Sequence, residues 1–163
     1  MNASAEPQAL AGAEAYAEQA LALVSGARLE LLLQSEALDA RLYRGEAFAR
    51  AVQDFALASP RARVRLLVRE PRAALRNAPT LIELARRLTS QIEMREPAED
   101  AREACRGERL IADRRAVLER PDAGALRARL LNDAPAQGQR RAEDFDSLWN
   151  AALPSTELRR LPL

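Results

Sequence analysis

Two short stretches, Leu29 to Leu33 and Val64 to Val68, are almost continuously apolar, broken only by Glu30 and Arg65. A strand with one wet face alternates apolar and polar residues. A run like these needs cover on both faces, as buried strands under crossover helices receive. The segments around them supply that cover. Residues 7–25 read as a helix, with Pro7 in its first turn, a stripe of Leu10, Ala13, Ala17, Ala20, Leu21 and Val24, and Gly26 as its cap. Residues 46–58 repeat Phe48, Ala51, Val52 and Phe55 at helical spacing. Pro79 and Thr80 open a third helix carrying Leu81, Leu84, Ala85 and Leu88, and a closing helix over 138–152 carries Phe145, Leu148, Trp149 and Ala152. Further strands fall at 91–95, around Leu110 to Ala112, and at Ala116 to Leu118, with a turn at Asp113 and Arg114. Residues 96–108 form a polar excursion with one helical turn, and 122–133 read as short helix and loop. Such alternation predicts an α/β fold: a mixed, mostly parallel sheet of about five or more strands, helices on both faces, and only the strands at 109–119 antiparallel. Residues 7–163 are expected to form one domain behind a disordered stretch, 1–6.

Composition narrows the chemistry. With 48% apolar and 30% charged residues among 163, a packed core is within reach and wholesale disorder is excluded. The 25 basic residues, every one an arginine, nearly cancel 24 acidic ones, so no global field recruits nucleic acid or a membrane. Histidine is absent, which removes the usual general base, the commonest metal ligand and every Ser-His or Cys-His arrangement. The single cysteine, Cys105, excludes an internal disulfide and a multi-cysteine metal site. No cofactor and no metal are expected. No apolar run approaches the ~20 residues of a membrane span, and the chain reads as cytoplasmic with Cys105 a free thiol.

The C-terminal third carries a familiar pattern: an apolar strand ending in Asp113, a second short strand, Asn132, then Phe145-x-x-x-Trp149. Upstream, Ala27-Arg28-Leu29-Glu30-Leu31, Leu38-Asp39 with Tyr43, and Arg63 through Pro71 agree with it. Together these blocks resemble a phospholipase D-like half-domain of an uncharacterised bacterial family, some members of which stand behind an acetyltransferase domain. Active members of that superfamily carry His-x-Lys-x-x-x-x-Asp, in which the His attacks phosphorus and the Lys holds phosphoryl oxygens. Setting Asp113 on the motif's Asp puts Arg106 at the His position and Glu108 at the Lys position. Leu118-Glu119-Arg120-Pro121 stands where a Gly-Ser pair is expected. A guanidinium remains protonated and cannot be that nucleophile, so the resemblance implies a half-domain without the superfamily's catalysis, and the chain is expected not to be an enzyme. Because active members assemble their site from two halves, it also implies a homodimer.

The candidate residues follow. Arg106, Glu108, Arg109, Asp113, Arg129 and Asn132, with Arg114, would gather at the degenerate site. Arg63, Arg65 and Arg69 form a basic stretch suited to anions, since arginine holds phosphate bidentately. No aromatic interleaves them to stack a base, so nucleic acid is possible but unsupported. The acidic groups Glu99-Asp100 and Glu143-Asp144-x-Asp146 read as solvated surface and helix-end charge. The leading expectation is a non-catalytic binding or regulatory domain that recognises a phosphate-bearing ligand or a partner protein. The alternatives are an accessory subunit or uncharacterised enzyme working with an acetyltransferase, and a structural dimerisation module. The dimer would form through the degenerate-site face or through the Ala13–Ala17 stripe of the first helix.

Overall fold

The computed structural model describes residues 6–122, 124, 125 and 127–159. Strands β1 (Gln8–Ala11), β2 (Glu30–Ser35), β3 (Arg63–Val68), β4 (Ile92–Glu96), β5 (Glu108–Ala112), β6 (Ala116–Arg120), β7 (Arg127–Leu131) and β8 (Leu153–Pro154) make one sheet in the order β1-β7-β6-β5-β2-β3-β4-β8. Helices α1 (Ala13–Gly26), α2 (Gly45–Ala58), α3 (Pro71–Asn77), α4 (Pro79–Arg87), α5 (Pro135–Ala151) and α6 (Thr156–Arg159) surround it.

The two apolar runs are β2 and β3, paired in parallel at the centre, and both faces of each are covered. On one face Leu31, Leu33, Val64, Leu66 and Val68 pack with Tyr16, Leu23, Phe48, Val52, Leu81 and Ile82 of α1, α2 and α4. On the other, Leu32, Leu67, Ile111 and Val117 pack beneath Ala142, Phe145 and Trp149 of α5. The rings of Phe145 and Trp149 stack at 5.7 Å, and the Arg95 guanidinium lies 4.5 Å over the Trp149 ring.

The sheet is mixed and flanked by helices on both sides, but its parallel share is smaller than the alternation implies. Only β2–β3 and β3–β4 run parallel among the described residues; the other five pairings are antiparallel. Two strands replace expected helix. The chain makes β1 before turning at Gly12 into α1, so the helix starts at Ala13 rather than near Pro7. β7 stands where short helix and loop were expected, paired on one side with β1 and on the other with β6. Both segments use residues that favour helices in isolation, and edge pairing overrides that weak preference. The Ala13–Ala17 stripe is not a free dimer surface: Ala17 is buried and Ala13 packs against the core. The 96–108 excursion holds two short 3-10 turns, Glu99–Ala101 and Glu103–Cys105. Cys105 is buried there, and burial pushes its thiol up against the pull of Arg69 and Arg102, which makes it unreactive. Of the expected disordered stretch 1–6, residues 1–5 lie outside the described ones, and Glu6 is exposed.

β5 and β6 are joined by a tight turn in which Asp113 and Arg114 both take left-handed backbone, φ 54° and 53°. The turn is fastened at three points. The Asp113 carboxylate accepts the backbone N–H groups of Arg28 (2.9 Å), Leu29 (2.7 Å) and Glu30 (2.9 Å). Arg114 pairs with Glu30 at 2.8 Å and with Asp146 at 2.9 Å. The first turns of α5 lie directly on it, with the Ala134 N–H donating to the Arg115 carbonyl at 2.8 Å.

That contact needs a glycine. A Cβ on Gly138 would strike the Arg114 carbonyl oxygen and stand 2.7 Å from the Arg115 nitrogen, both of them backbone atoms. Gly138→Ala should therefore destabilise the protein by about 1–3 kcal/mol through overpacking, although the same change in an open helix interior stabilises by about 1 kcal/mol. Gly26→Ala, with nothing within 4 Å of its Cβ, serves as the opposite-signed control. Denaturant midpoints of the two variants check the contrast, and a stabilised Gly138→Ala would refute the packing account.

Candidate functional site

Two of the expected site residues, Arg106 and Glu108, lie where β2 and β3 end and β5 begins. Glu108 opens β5 and turns inward, only 5% exposed. Its Oε2 accepts the Tyr43 hydroxyl at 2.9 Å, the Tyr16 hydroxyl sits 2.8 Å from that of Tyr43, and its Oε1 accepts the Glu36 N–H at 3.3 Å. Burial raises Glu108 to about 7, against the lowering pull of the Ser35 and Tyr43 hydroxyls. Burial and the Glu108 charge also hold both tyrosines well above their ordinary value, so they act as neutral hydroxyls. Gly107 admits this arrangement: it takes φ 78°, and a Cβ there would meet the Arg120 and Pro121 carbonyl oxygens at 2.6 and 2.7 Å. Its N–H donates to Glu36 Oε2 at 3.0 Å.

Around this buried carboxylate the excursion is laced down by arginines. Arg69 donates to the Arg102 carbonyl and Arg102 to the Arg69 carbonyl, each at 3.0 Å. Both guanidiniums also hold Glu70, at 3.0 and 2.7 Å. Arg106 is paired to Glu103 at 2.7 Å and is more than half exposed. Three arginines and three carboxylates, Glu36, Glu70 and Glu103, thus answer one another at this strand end.

A second constellation lies on the α5 face. Arg109, Glu119 and Arg129 stand opposite one another on β5, β6 and β7. The Glu119 side chain is 2% exposed and accepts Arg109 at 3.1 Å, Arg129 at 2.7 Å and, from α5, Arg141 at 3.1 Å. Burial works to raise Glu119, but the Arg141 hydrogen bond and the three positive charges outweigh it, and the carboxyl lies below its ordinary value. A recess of about 250 Å³ opens beside it, lined by Glu6, Pro7, Glu119, Arg129, Leu131, Gln137 and Arg141.

The expected site residues therefore fall in three places. Arg106 and Glu108 share the strand end with the tyrosine pair. Arg109 and Arg129 meet at Glu119. Asp113 lies beyond the far end of β5, roughly 17 Å along the strand from Glu108, where it clamps backbone; Asn132 is exposed after β7 on the same side. Arg63, Arg65 and Arg69 are not one cluster. Arg63 donates to the Pro60 and Ala62 carbonyls at 2.8 Å, Arg65 pairs with Asp146 at 3.6 Å beside Trp149, and Arg69 is spent on the strand-end network. Glu143 accepts from Gln139, and Asp146 belongs to Arg114 and Arg65; among the described residues no group of three or more acidic, Cys or His side chains could hold a metal ion. Sequence reasoning missed Arg141, Glu119, Glu36 and Tyr16. The Arg109–Glu119 pair had a signal, because a hairpin centred on residues 113–115 sets those two positions opposite each other.

The Glu108 carboxyl gives this site a measurable pH signature. With a folded-state value of about 7 against the ordinary 4.5, the folded protein binds the proton more tightly than the unfolded chain. Stability contributed by the neutral form is then complete below about pH 4.5 and lost as pH rises through about 7, a loss of about 3 kcal/mol. Glu108→Gln should abolish that decline, making the variant more stable than the wild type at pH 8 and close to it at pH 5. Urea midpoints at the two values decide, and a pH-independent difference would remove the buried-acid account.

Comparison with known proteins places this geometry. No curated protein matches the chain. Among solved structures, it is similar to TrmBL2, an archaeal chromatin protein with a novel mode of DNA binding (TM-score 0.66, 14% identity, 92% of this chain and 55% of TrmBL2). It is similar also to Nuc, a phospholipase D family member from Salmonella typhimurium (TM-score 0.64, 13% identity, 92% and 99%), and to NucT from Helicobacter pylori (TM-score 0.59, 10% identity, 92% and 99%). The chain thus spans about half of TrmBL2 and nearly all of the other two. At these identities the likeness is one of fold, that of phospholipase D family structures. By sequence, residues 12–161 match the family described as a domain of unknown function (DUF7931), and the chain belongs to it.

Proposed function

We propose that this protein is a non-catalytic domain of phospholipase D-like fold that works by binding a phosphate-bearing ligand. The observation that carries the reading is the state of the two positions where the superfamily motif has its His and Lys. Arg106 is a permanently charged group held by Glu103, and Glu108 is a buried acid held by Tyr43. Neither can attack phosphorus as a free neutral nucleophile, and a carboxylate in the Lys position would repel phosphoryl oxygens. Arg106, Glu108, Arg109, Asp113, Arg129 and Asn132 are accordingly residues of binding or of structure in this reading, not of bond cleavage.

A small phosphorylated ligand suits the surface better than duplex nucleic acid. Backbone binding of a duplex calls for a continuous basic stripe, whereas Arg63, Arg65, Arg69, Arg102 and Arg114 each already have carbonyl or carboxylate partners. The protein is expected to act as a homodimer, since the resemblance places two half-domains in one site. Burial of the Ala13–Ala17 stripe leaves the strand end around Arg106 as the face for it.

Two measurements test this reading. Purified protein incubated with a chromogenic phosphodiester should show no turnover above buffer; hydrolysis abolished by Glu108→Gln would overturn the non-catalytic assignment. Light scattering at micromolar concentration should give the mass of two chains. Arg106→Glu, which sets a like charge beside Glu103, should shift it toward one. A single-chain mass for the wild type at every concentration would end the dimer proposal.

A further inference from the structure

The recess beside Glu119 has more hydrogen-bond donors than its one buried carboxylate can use. Each guanidinium offers five N–H groups, while a carboxylate accepts at about four positions. Arg109 alone neutralises Glu119 and lies outside the recess. Arg129 and Arg141, which line it, direct one and two of their nitrogens to Glu119, and their other donors have no protein partner among the described residues. A buried acid needs one cation; this one has three. The surplus is two positive charges at the mouth of a concave site, tempered by Glu6 at its rim. Arg141 is less than one-third exposed, so its charge acts where water screens weakly.

Resting on the reading that the protein binds phosphate-bearing ligands, we propose that Arg129, Arg141 and Gln137 form the binding site, and that it takes a terminal phosphate group, a phosphomonoester dianion. A phosphomonoester presents three equivalent oxygens and nearly two negative charges near neutral pH, matching two convergent guanidiniums that are pre-set by a shared carboxylate. An internal phosphodiester offers two free oxygens and one charge, and must thread through a site open on both sides. The buried Glu119 and Leu131 line the recess, which holds about 250 Å³. That volume suits a phosphate with a small attached group rather than a passing chain. Glu119 acts here as a positioning residue: it aims the two arginines without touching the ligand.

Isothermal titration of the full chain at pH 7.5 with phenyl phosphate, and separately with diphenyl phosphate, tests the proposal. The monoester should bind at least about tenfold more tightly than the diester, and Arg129→Ala and Arg141→Ala should each weaken it about tenfold or more. Arg50→Ala, on α2 and away from the recess, is the charge-matched control and should leave binding unchanged. Monoester binding should also weaken below about pH 6, where the ligand takes up its second proton. Glu119→Gln adds a readout that a purely structural role would not move: in the folded variant the preference for phenyl phosphate over diphenyl phosphate should shrink severalfold, whereas loss of a merely structural contact would lower stability and leave that preference unchanged. Should Glu119→Gln fail to fold, the exposed Arg129→Ala decides alone. Monoester binding that ignores both arginine substitutions would overturn this site and leave the phosphate-binding reading standing. No binding of either ester would overturn both.

Discussion

The fold hangs on the seam between β2 and β5. To one side lie β3 and β4, reached from β2 by parallel crossovers, with β8 antiparallel at the edge; to the other lie β6, β7 and β1, joined antiparallel. Four residue pairs, from Leu31 with Ala112 to Gln34 with Arg109, stitch the halves together. The Asp113 carboxylate extends the seam by taking three successive N–H groups at the start of β2, where the ladder would otherwise leave donors bare. Hydrogen bonds to a charged acceptor contribute about 1.5–3 kcal/mol each. The same clamp offsets the cost of two left-handed residues in the turn. Because α5 rests on that turn through Gly138, the clamp also sets where Trp149 and Arg141 meet the sheet.

Two buried carboxylates on neighbouring strands show how surroundings divide one chemistry. Glu119 sits among three guanidiniums and is held ionised; Glu108 is held by hydroxyls and a backbone N–H, and burial drives it towards the neutral form. Burial penalises the charge of both, so the difference lies in which partners each strand face supplies. The Tyr43 hydroxyl donates to the ionised Glu108 and accepts from Tyr16. On protonation the Glu108 hydroxyl can donate instead and the chain of hydrogen bonds reverses without moving a heavy atom.

How much of this was legible follows from which interactions are local. β2 and β3 could be read because burial on both faces writes itself as Leu31-Leu32-Leu33 and Leu66-Leu67-Val68. The Phe145–Trp149 stripe could be read because helical spacing is intrinsic to the chain. β1 and β7 could not. Gln8 to Ala11 and Arg127 to Leu131 carry residues that favour helices, and it is pairing, of β7 with β6 and of β1 with β7, that makes them strands. Arg109 and Glu119 were legible in principle from hairpin symmetry, but Arg141 joins them through the packing of α5 across β6, a relation no spacing encodes. The arginines at 63, 65 and 69 looked like a patch because they alternate; the structure gives each its own acceptor.

That distribution of acceptors explains how a chain rich in arginine can carry so little free charge. Most guanidiniums here close contacts that backbone or carboxylate groups leave open: Arg102 at the end of β3, Arg95 at the Trp149 carbonyl, Arg86 at the Leu158 carbonyl. A planar fork of donors suits this task better than an ammonium, since one side chain can satisfy a carbonyl and a carboxylate together, as Arg102 does with Arg69 and Glu70. Against that background an arginine with spare donors stands out by its chemistry rather than by its number. The strand end around Glu108 has its arginines met by three carboxylates, Glu36, Glu70 and Glu103, while the Glu119 recess sets three arginines against one buried acid and Glu6. Arginines with spare donors beside a concave site therefore stand on the α5 face of the sheet, away from the strand end that holds Arg106 and Glu108.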